Sequence, residues 1–193
     1  MAARQGLDRE SVVKAAADLA DEVGLEQVTL ASLAGRLSVK TPSLYNHVQG
    51  LPGLRRELAL YGIERLNEAL TQGALGKSGD DAVLSVGTAY VAFVRQHPGL
   101  YEATMGAPDM SDPDIQQVSA SVVDTVLRVL EVYRLEPEEA LHAVRGIRSM
   151  VHGFASLEGR NGFRLQLDRD RTLRHMLTTY LSGLKSKEAA GKP

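Results

Sequence analysis

The sequence predicts an all-α protein of about nine helices, because apolar residues recur at intervals of three and four along the chain and no segment shows strand-like alternation. N-cap residues, prolines and glycines divide this pattern into segments of helical length. The chain has 193 residues, 44% of them hydrophobic, which is enough for one compact core or two small ones. We therefore expect an N-terminal three-helix domain followed by a helical bundle.

The N-terminal segment carries the signals of two helices. Asp8 is a suitable N-cap for the first, and Gly24 is a suitable end. Thr29 is a suitable N-cap for the second, whose apolar stripe has the spacing i, i+3, i+4 and i+7: Leu30, Leu33, Ala34 and Leu37. Ser38 and Val39 interrupt the stripe, so a turn is expected there.

A third, short helix is predicted over residues 42–48, with Thr41 as its N-cap and Pro42 in the first helical position. At about 100° per residue, Leu44 and Val48 share one side, and that side would pack on neighbouring helices. The opposite side is polar, as in a DNA recognition helix, whose exposed residues contact base edges and phosphates. The candidate DNA-binding residues are Thr29, Lys40, Thr41, Pro42, Ser43, Tyr45, Asn46 and His47.

The run Pro42-Ser-Leu-Tyr-Asn-His-Val48 resembles the Pro-x-Leu-Tyr-x-His-Val form of the tetracycline-repressor (TetR) family, and the similarity extends over about Leu7 to Leu66. The resemblance implies that Tyr45 and His47 lie beside phosphates. Ser38 stands where the family usually has a turn glycine, and Leu51 stands where many members carry a phosphate-binding lysine. The resemblance implies a homodimeric regulator that binds operator DNA.

The sequence predicts helices in the rest of the chain as well. The boundaries expected are a DNA-binding domain over 1–50, a connecting helix within 51–75, a helical effector-binding and dimerisation domain over 76–185, and a disordered tail over 186–193. Further helices are expected over about 80–97, 100–105, 112–133, 137–159 and 169–183. The Gly- and Ser-rich segment 73–79 marks the break between the two halves.

The last two helices carry the signals of a dimer interface. Gly146 and Gly153 lie on one stripe of the penultimate helix, and glycine costs about 1 kcal/mol relative to alanine inside a helix, so a close helix contact is expected there. The final helix has more apolar surface than one buried side requires. The candidate interface residues are Gly146, Met150, Gly153, Leu157, Leu173, Leu177, Tyr180 and Leu181. Packing within one subunit is the alternative explanation of this stripe.

A small-molecule effector is the further partner that we expect. Its candidate contacts are large side chains on the middle helices: Tyr90, Phe93, Tyr101, Met105, Val122, Val126 and His152. The sequence around His152 resembles a TetR subgroup marked by Trp-His-Gly, with Val151 in place of the tryptophan. A structural role in the core is the alternative for each of these residues.

Composition excludes several other classes of protein. The chain has no cysteine, no second copy of its Glu139-x-x-His142 pattern and no nucleophile motif, so we expect neither a metal, nor a cofactor, nor catalysis. The absence of a long apolar segment predicts a cytoplasmic protein. The net charge of −2 counts against DNA binding by overall charge, but such a domain can still place the cations Arg36, Lys40, Arg55 and Arg56 toward the DNA. A helical enzyme or lipid carrier and a dimeric scaffold are the alternatives.

Overall fold

The computed structural model describes residues 7–106, 109 and 111–190, with side chains described up to residue 185. These residues form nine α-helices, two short 3₁₀ turns and no strand, which confirms the all-α prediction. The α-helices are α1 Arg9–Val23, α2 Leu30–Arg36, α3 Thr41–Leu44, α4 Gly50–Ala74, α5 Gly79–Gln96, α6 Pro98–Met105, α7 Pro113–Leu130, α8 Pro137–Gly159 and α9 Arg169–Ala190. Within these ranges, none of the helices is both long enough and apolar enough to cross a membrane.

The chain forms two compact units. The first contains the described residues of Met1–Glu64 and Gln96–Val118, and the second contains those of Arg65–Arg95 and Ser119–Pro193. Helix α6 therefore belongs to the first unit, together with the helix-turn-helix formed by α2 and α3, although the sequence suggested that it belongs to the C-terminal half.

Contacts between α1 and α6 explain this assignment. A Cβ atom placed on Gly99 would lie 2.0 Å from the carbonyl oxygen of Ala20, so the backbones of the two helices touch. The Asp21 carboxylate accepts a hydrogen bond from the backbone N–H of Leu100 at 2.8 Å and lies 2.8 Å from Nδ1 of His97. A side chain of α1 thus caps the first turn of α6, whose own N-cap residue makes no side-chain cap.

The first two helix starts follow the sequence prediction. Asp8 and Thr29 are N-caps, and each forms a reciprocal capping box with a serine three residues later. Gly24 ends α1 with a φ of 87°, a conformation that side chains with a Cβ rarely adopt. These caps define the entry angles of α1 and α2.

The prediction for α3 is wrong at both ends. The N-cap is Lys40 rather than Thr41, and the α-helix ends at Leu44 rather than Val48. Beyond Leu44 the chain tightens, because the N–H groups of Tyr45 and His47 donate to carbonyls only three residues earlier. A helix this short has little cooperative stability of its own, so packing of its neighbours sets its length.

The final helix is longer than predicted. We expected α9 to end near Gly183 and residues 186–193 to be disordered, but α9 continues to Ala190, while 191–193 lie outside the described residues. Gly183 costs only about 1 kcal/mol in a helix. Leu184 is buried beyond it, and Lys185 donates to Asp80 at 2.7 Å. These contacts hold the extra turns in place.

Candidate nucleic-acid interface

The turn between α2 and α3 is a Schellman motif closed by Ser38. The N–H of Ser38 donates to the carbonyl of Gly35 at 3.1 Å, and the N–H of Val39 donates to the carbonyl of Ala34 at 3.0 Å. This geometry gives Ser38 a φ of 54°, in the left-handed region. Serine therefore keeps the turn that glycine would make more easily, and it does so at the cost of backbone strain.

We expect Ser38→Gly to raise the free energy of unfolding by about 0.5–1 kcal/mol. Removal of the Cβ atom relieves the strain of the left-handed backbone in the folded protein. This gain exceeds the loss of stability that comes from the greater conformational entropy of glycine in the unfolded chain. Urea denaturation measures the change. Ser38→Ala keeps the Cβ atom and should leave stability nearly unchanged. An equal gain in both variants would show that the hydroxyl, rather than φ, is responsible.

Helix α3 and the turn after it present a polar surface on a buried apolar base. Leu44 is fully buried and Val48 is nearly so, whereas the side chain of Tyr45 is 60% exposed. The exposed candidates are Thr29, Lys40, Pro42, Tyr45 and Asn46, and the half-buried ones are Thr41, Ser43 and His47. The oxygen of Thr29 is occupied by the Ser32 N–H in the α2 cap. The other exposed candidates, Lys40, Pro42, Tyr45 and Asn46, lie in α3 or within two residues of its ends.

Three of the four expected DNA-facing cations are engaged by carboxylates of the protein. Arg36 forms a two-bond pair with Glu22 at 2.7 and 2.8 Å, and Arg55 lies 3.6 Å from Glu26. Arg56 binds Asp112 and Asp114. Among the four, Lys40 alone has no ion-pair partner within the described residues, and it is exposed. The charge of the three arginines is thus balanced within the chain, and their contact with DNA stays a prediction.

Arg56 joins α4 to the start of α7. Its guanidinium donates to Asp112 at 2.9 Å and to Asp114 at 2.6 Å, and the hydrogen bond from Arg56 lowers the pKa of the Asp112 carboxyl. Arg56 and Asp112 also line a cavity of about 670 Å³ in the first unit. The buried side chain of Ile115 also lines it. No local sequence pattern predicts this cluster, because Arg56 lies more than fifty positions from Asp112 and Asp114.

The candidate effector residues are divided between the two units. Tyr101 and Met105 lie on α6 in the first unit, whereas the other five lie in the second. Buried side chains form the majority: Tyr90, Phe93, Tyr101 and Val126. Val122 is half-buried, as is His152, whose Nε2 lies 3.5 Å from the hydroxyl of Ser156. None of the seven lines the 670 Å³ cavity or a second cavity of about 320 Å³ beside Phe154 and Phe163.

Three candidate interface residues are buried within the single chain: Leu173, Leu177 and Leu181. Leu177 fills the space beside Gly87, where a Cβ atom would lie 2.5 Å from the leucine side chain. These leucines are therefore removed from the candidate dimer surface. The ring of Tyr180 lies over Gly146, so packing within the chain accounts for that glycine. Leu157 is exposed, Met150 and Gly153 are half-buried, and the space beside Gly153 is open.

Comparison with known proteins identifies the class. Residues 83–180 match the family model described as the tetracyclin repressor-like C-terminal domain. The chain is 38% identical over 185 residues to YobS of Bacillus subtilis (strain 168), an uncharacterized HTH-type transcriptional regulator, covering 95% of this chain and 96% of the relative. It is 31% identical over 153 residues to the HTH-type transcriptional repressor DrrR1 of Streptomyces coeruleorubidus, covering 77% of this chain and 52% of that one.

A solved structure shows the same fold. The transcriptional regulator SCO7222, a TetR from Streptomyces coelicolor, has a TM-score of 0.76 at 19% identity, covering 94% of this chain and 99% of the other. The relatives are transcriptional regulators, a class of proteins that are not enzymes. The chain belongs to the TetR family, as the motif around Tyr45 suggested.

Proposed function

We propose that this protein is a homodimeric repressor that binds operator DNA through α3 and the turn that follows it. The observation that carries the proposal is the pairing of a buried base, Leu44 and Val48, with an exposed polar surface at Tyr45 and Asn46. Asn46 would contact base edges, and Tyr45 and His47 would contact phosphates. Relatives named as a repressor and as regulators support this function. A protein that binds operator DNA would act in the cytoplasm.

Release by a small molecule is the second part of the proposal. The effector would bind in the second unit among Tyr90, Phe93, Val122, Val126 and His152. Because most of these side chains are buried, the effector selects a form in which the helices have separated to admit it. If that form spaces the two recognition helices differently from the 34–36 Å between successive major grooves, effector binding opposes DNA binding.

The first experiment measures DNA binding by fluorescence anisotropy, with DNA from upstream of the gene and a random-sequence duplex. We expect Asn46→Ala to weaken binding to the specific DNA at least tenfold and to leave the random duplex nearly unaffected, because a base contact carries the sequence information. Tyr45→Phe should weaken binding to both about fivefold, because a phosphate hydrogen bond is lost.

Gln72→Ala provides the control, since Gln72 is an exposed residue of α4 in the second unit. It should bind both duplexes as the unaltered protein does. Failure of the folded protein to bind the upstream DNA, or any sequence selected from a random pool, would overturn the repressor proposal. Loss of binding to the same degree in all three variants would contradict the assigned roles of Asn46 and Tyr45.

A further inference from the structure

We propose that the cavity beside the segment joining α8 to α9 binds a small hydrophobic carboxylate, whose charged group pairs with Arg164 and Arg169. The cavity has a volume of about 320 Å³, at the lower end of the range of small-molecule pockets. It lies in the second unit, and neither the candidate effector residues nor the candidate interface residues line it. The inference therefore goes beyond the proposed function and concerns a different site.

The charged side chains that line this cavity are both cationic. Arg164 lies in the segment between the two helices, and Arg169 is the first residue of α9. Arg164 is exposed and has no ion-pair partner within the part of the chain that the structure describes. None of the described residues that line the cavity carries a carboxylate. The charge of the lining is therefore complementary to an anion and would repel a cation.

Arg169 is only weakly paired within the chain. Its guanidinium lies 3.7 Å from the Glu158 carboxylate, which is longer than a hydrogen bond. Both oxygens of that carboxylate already accept hydrogen bonds from Arg95, at 2.7 and 2.9 Å. A ligand that takes Arg169 therefore leaves Glu158 paired. A guanidinium binds a carboxylate through two parallel hydrogen bonds, which favours a carboxylate over a neutral ligand of the same shape.

Apolar side chains line the rest of the cavity and would contact the body of the ligand. Phe154 is almost completely buried, and its ring centre lies 5.0 Å from that of the half-buried Phe163. Leu165 and Leu167 line the same cavity but are 79% and 69% exposed. Binding of an apolar body would remove part of this exposed apolar surface from water. The ligand that fits both observations has an apolar body and one anionic group.

Local hydrogen bonds hold the segment that carries these leucines. The N–H of Leu167 donates to the carbonyl of Leu165 at 2.9 Å, as in a γ-turn, and the N–H of Gly162 donates to the carbonyl of Leu157 at 2.7 Å. The Asp168 carboxylate accepts a bond at 3.0 Å from a backbone N–H in the first turn of α9. A concave site of this size suits a small molecule, because a stable protein partner would need to cover about 800 Å² of surface.

Calorimetric titration of the full-length protein with decanoate tests the charged end of the site. We expect decanoate to bind about tenfold or more tightly than decyltrimethylammonium, which has a chain of equal length and the opposite charge. Arg164→Gln and Arg169→Gln should each weaken decanoate binding about fivefold or more, because each removes a guanidinium from the cavity. Arg171→Gln is the matched control, since Arg171 is an exposed residue of α9 that does not line the cavity. It should bind decanoate as the unaltered protein does.

A second pair of variants tests the apolar end. Replacement of both Leu165 and Leu167 by serine should weaken decanoate binding about fivefold, because less apolar surface is then covered by the chain. Both side chains are exposed, so the fold should tolerate the change. Leu75→Ser, at a leucine that is 71% exposed and does not line the cavity, is the control and should have no effect.

The outcomes separate this site from the proposed function. Equal affinity for the two ten-carbon probes, or decanoate binding that the substitutions at Arg164 and Arg169 leave unchanged, would overturn the site and leave the repressor proposal standing. So would a lack of decanoate binding, the result expected if a second copy covers the segment. Failure of DNA binding would overturn the repressor proposal and leave the site standing. Weaker binding in the arginine and leucine variants, with both controls unchanged, would establish the site.

Discussion

Gly99→Val is expected to lower the free energy of unfolding by about 3 kcal/mol or more, measured by urea denaturation. The Cβ atom of any side chain at this position would lie 2.0 Å from the carbonyl oxygen of Ala20 and 2.8 Å from the backbone nitrogen of Asp21. Backbone atoms have no alternative rotamer, so α6 must move away from α1. That movement would also stretch the hydrogen bond from Leu100 to Asp21.

Two further variants show whether the contact with Ala20 is responsible. Gly99→Ala should lose nearly as much stability as Gly99→Val, because the Cβ atom itself makes the clash. Gly35→Val introduces the same side chain into α2, where a Cβ atom would meet nothing within 4 Å, and should be close to neutral. A loss below 1 kcal/mol for Gly99→Val would contradict the close approach of the two helices.

Phe154→Ala is expected to destabilise the second unit by about 3–5 kcal/mol, through lost apolar burial and the cavity left behind. Phe154 is almost completely buried on α8, and its ring centre lies 5.0 Å from that of Phe163 in the segment that follows the helix. The lost free energy of unfolding is measured by thermal and urea denaturation at one protein concentration, with circular dichroism as the signal.

Leu75→Ala is the control for Phe154→Ala, because Leu75 is 71% exposed just beyond α4. It should change the free energy of unfolding by less than about 0.5 kcal/mol. Phe154→Leu keeps part of the buried volume and should fall between the two. If Phe154→Ala lost no more stability than Leu75→Ala, α8 would not pack on a core at this position.

Features determined by neighbouring residues could be predicted from the sequence. The caps at Asp8 and Thr29 each need only a serine three residues later, and the end of α1 at Gly24 needs only a residue that tolerates positive φ. The inward-facing residues Leu44 and Val48 were also predictable from their spacing of four, and both are buried even though the helix ends at Leu44.

Features determined by distant residues could not be predicted. The bond from Leu100 to Asp21 joins positions 79 apart, and that from Arg56 to Asp112 joins positions 56 apart. Periodicity identifies an apolar face but does not say what covers it. Leu177 therefore suggested a surface for a partner, although the side chain packs beside Gly87 of the same chain.

The position of α6 in the first unit has a consequence for synthesis on the ribosome. The core beside the helix-turn-helix is completed by residues 96–118, which are translated after all of α4 and nearly all of α5. The N-terminal helices leave the ribosome first, but the C-terminal end of α1 stays uncovered until Gly99 and Leu100 follow. Folding of this unit is therefore delayed until more than half of the chain has been made, and a fragment that stops before α6 would expose part of its own core to solvent.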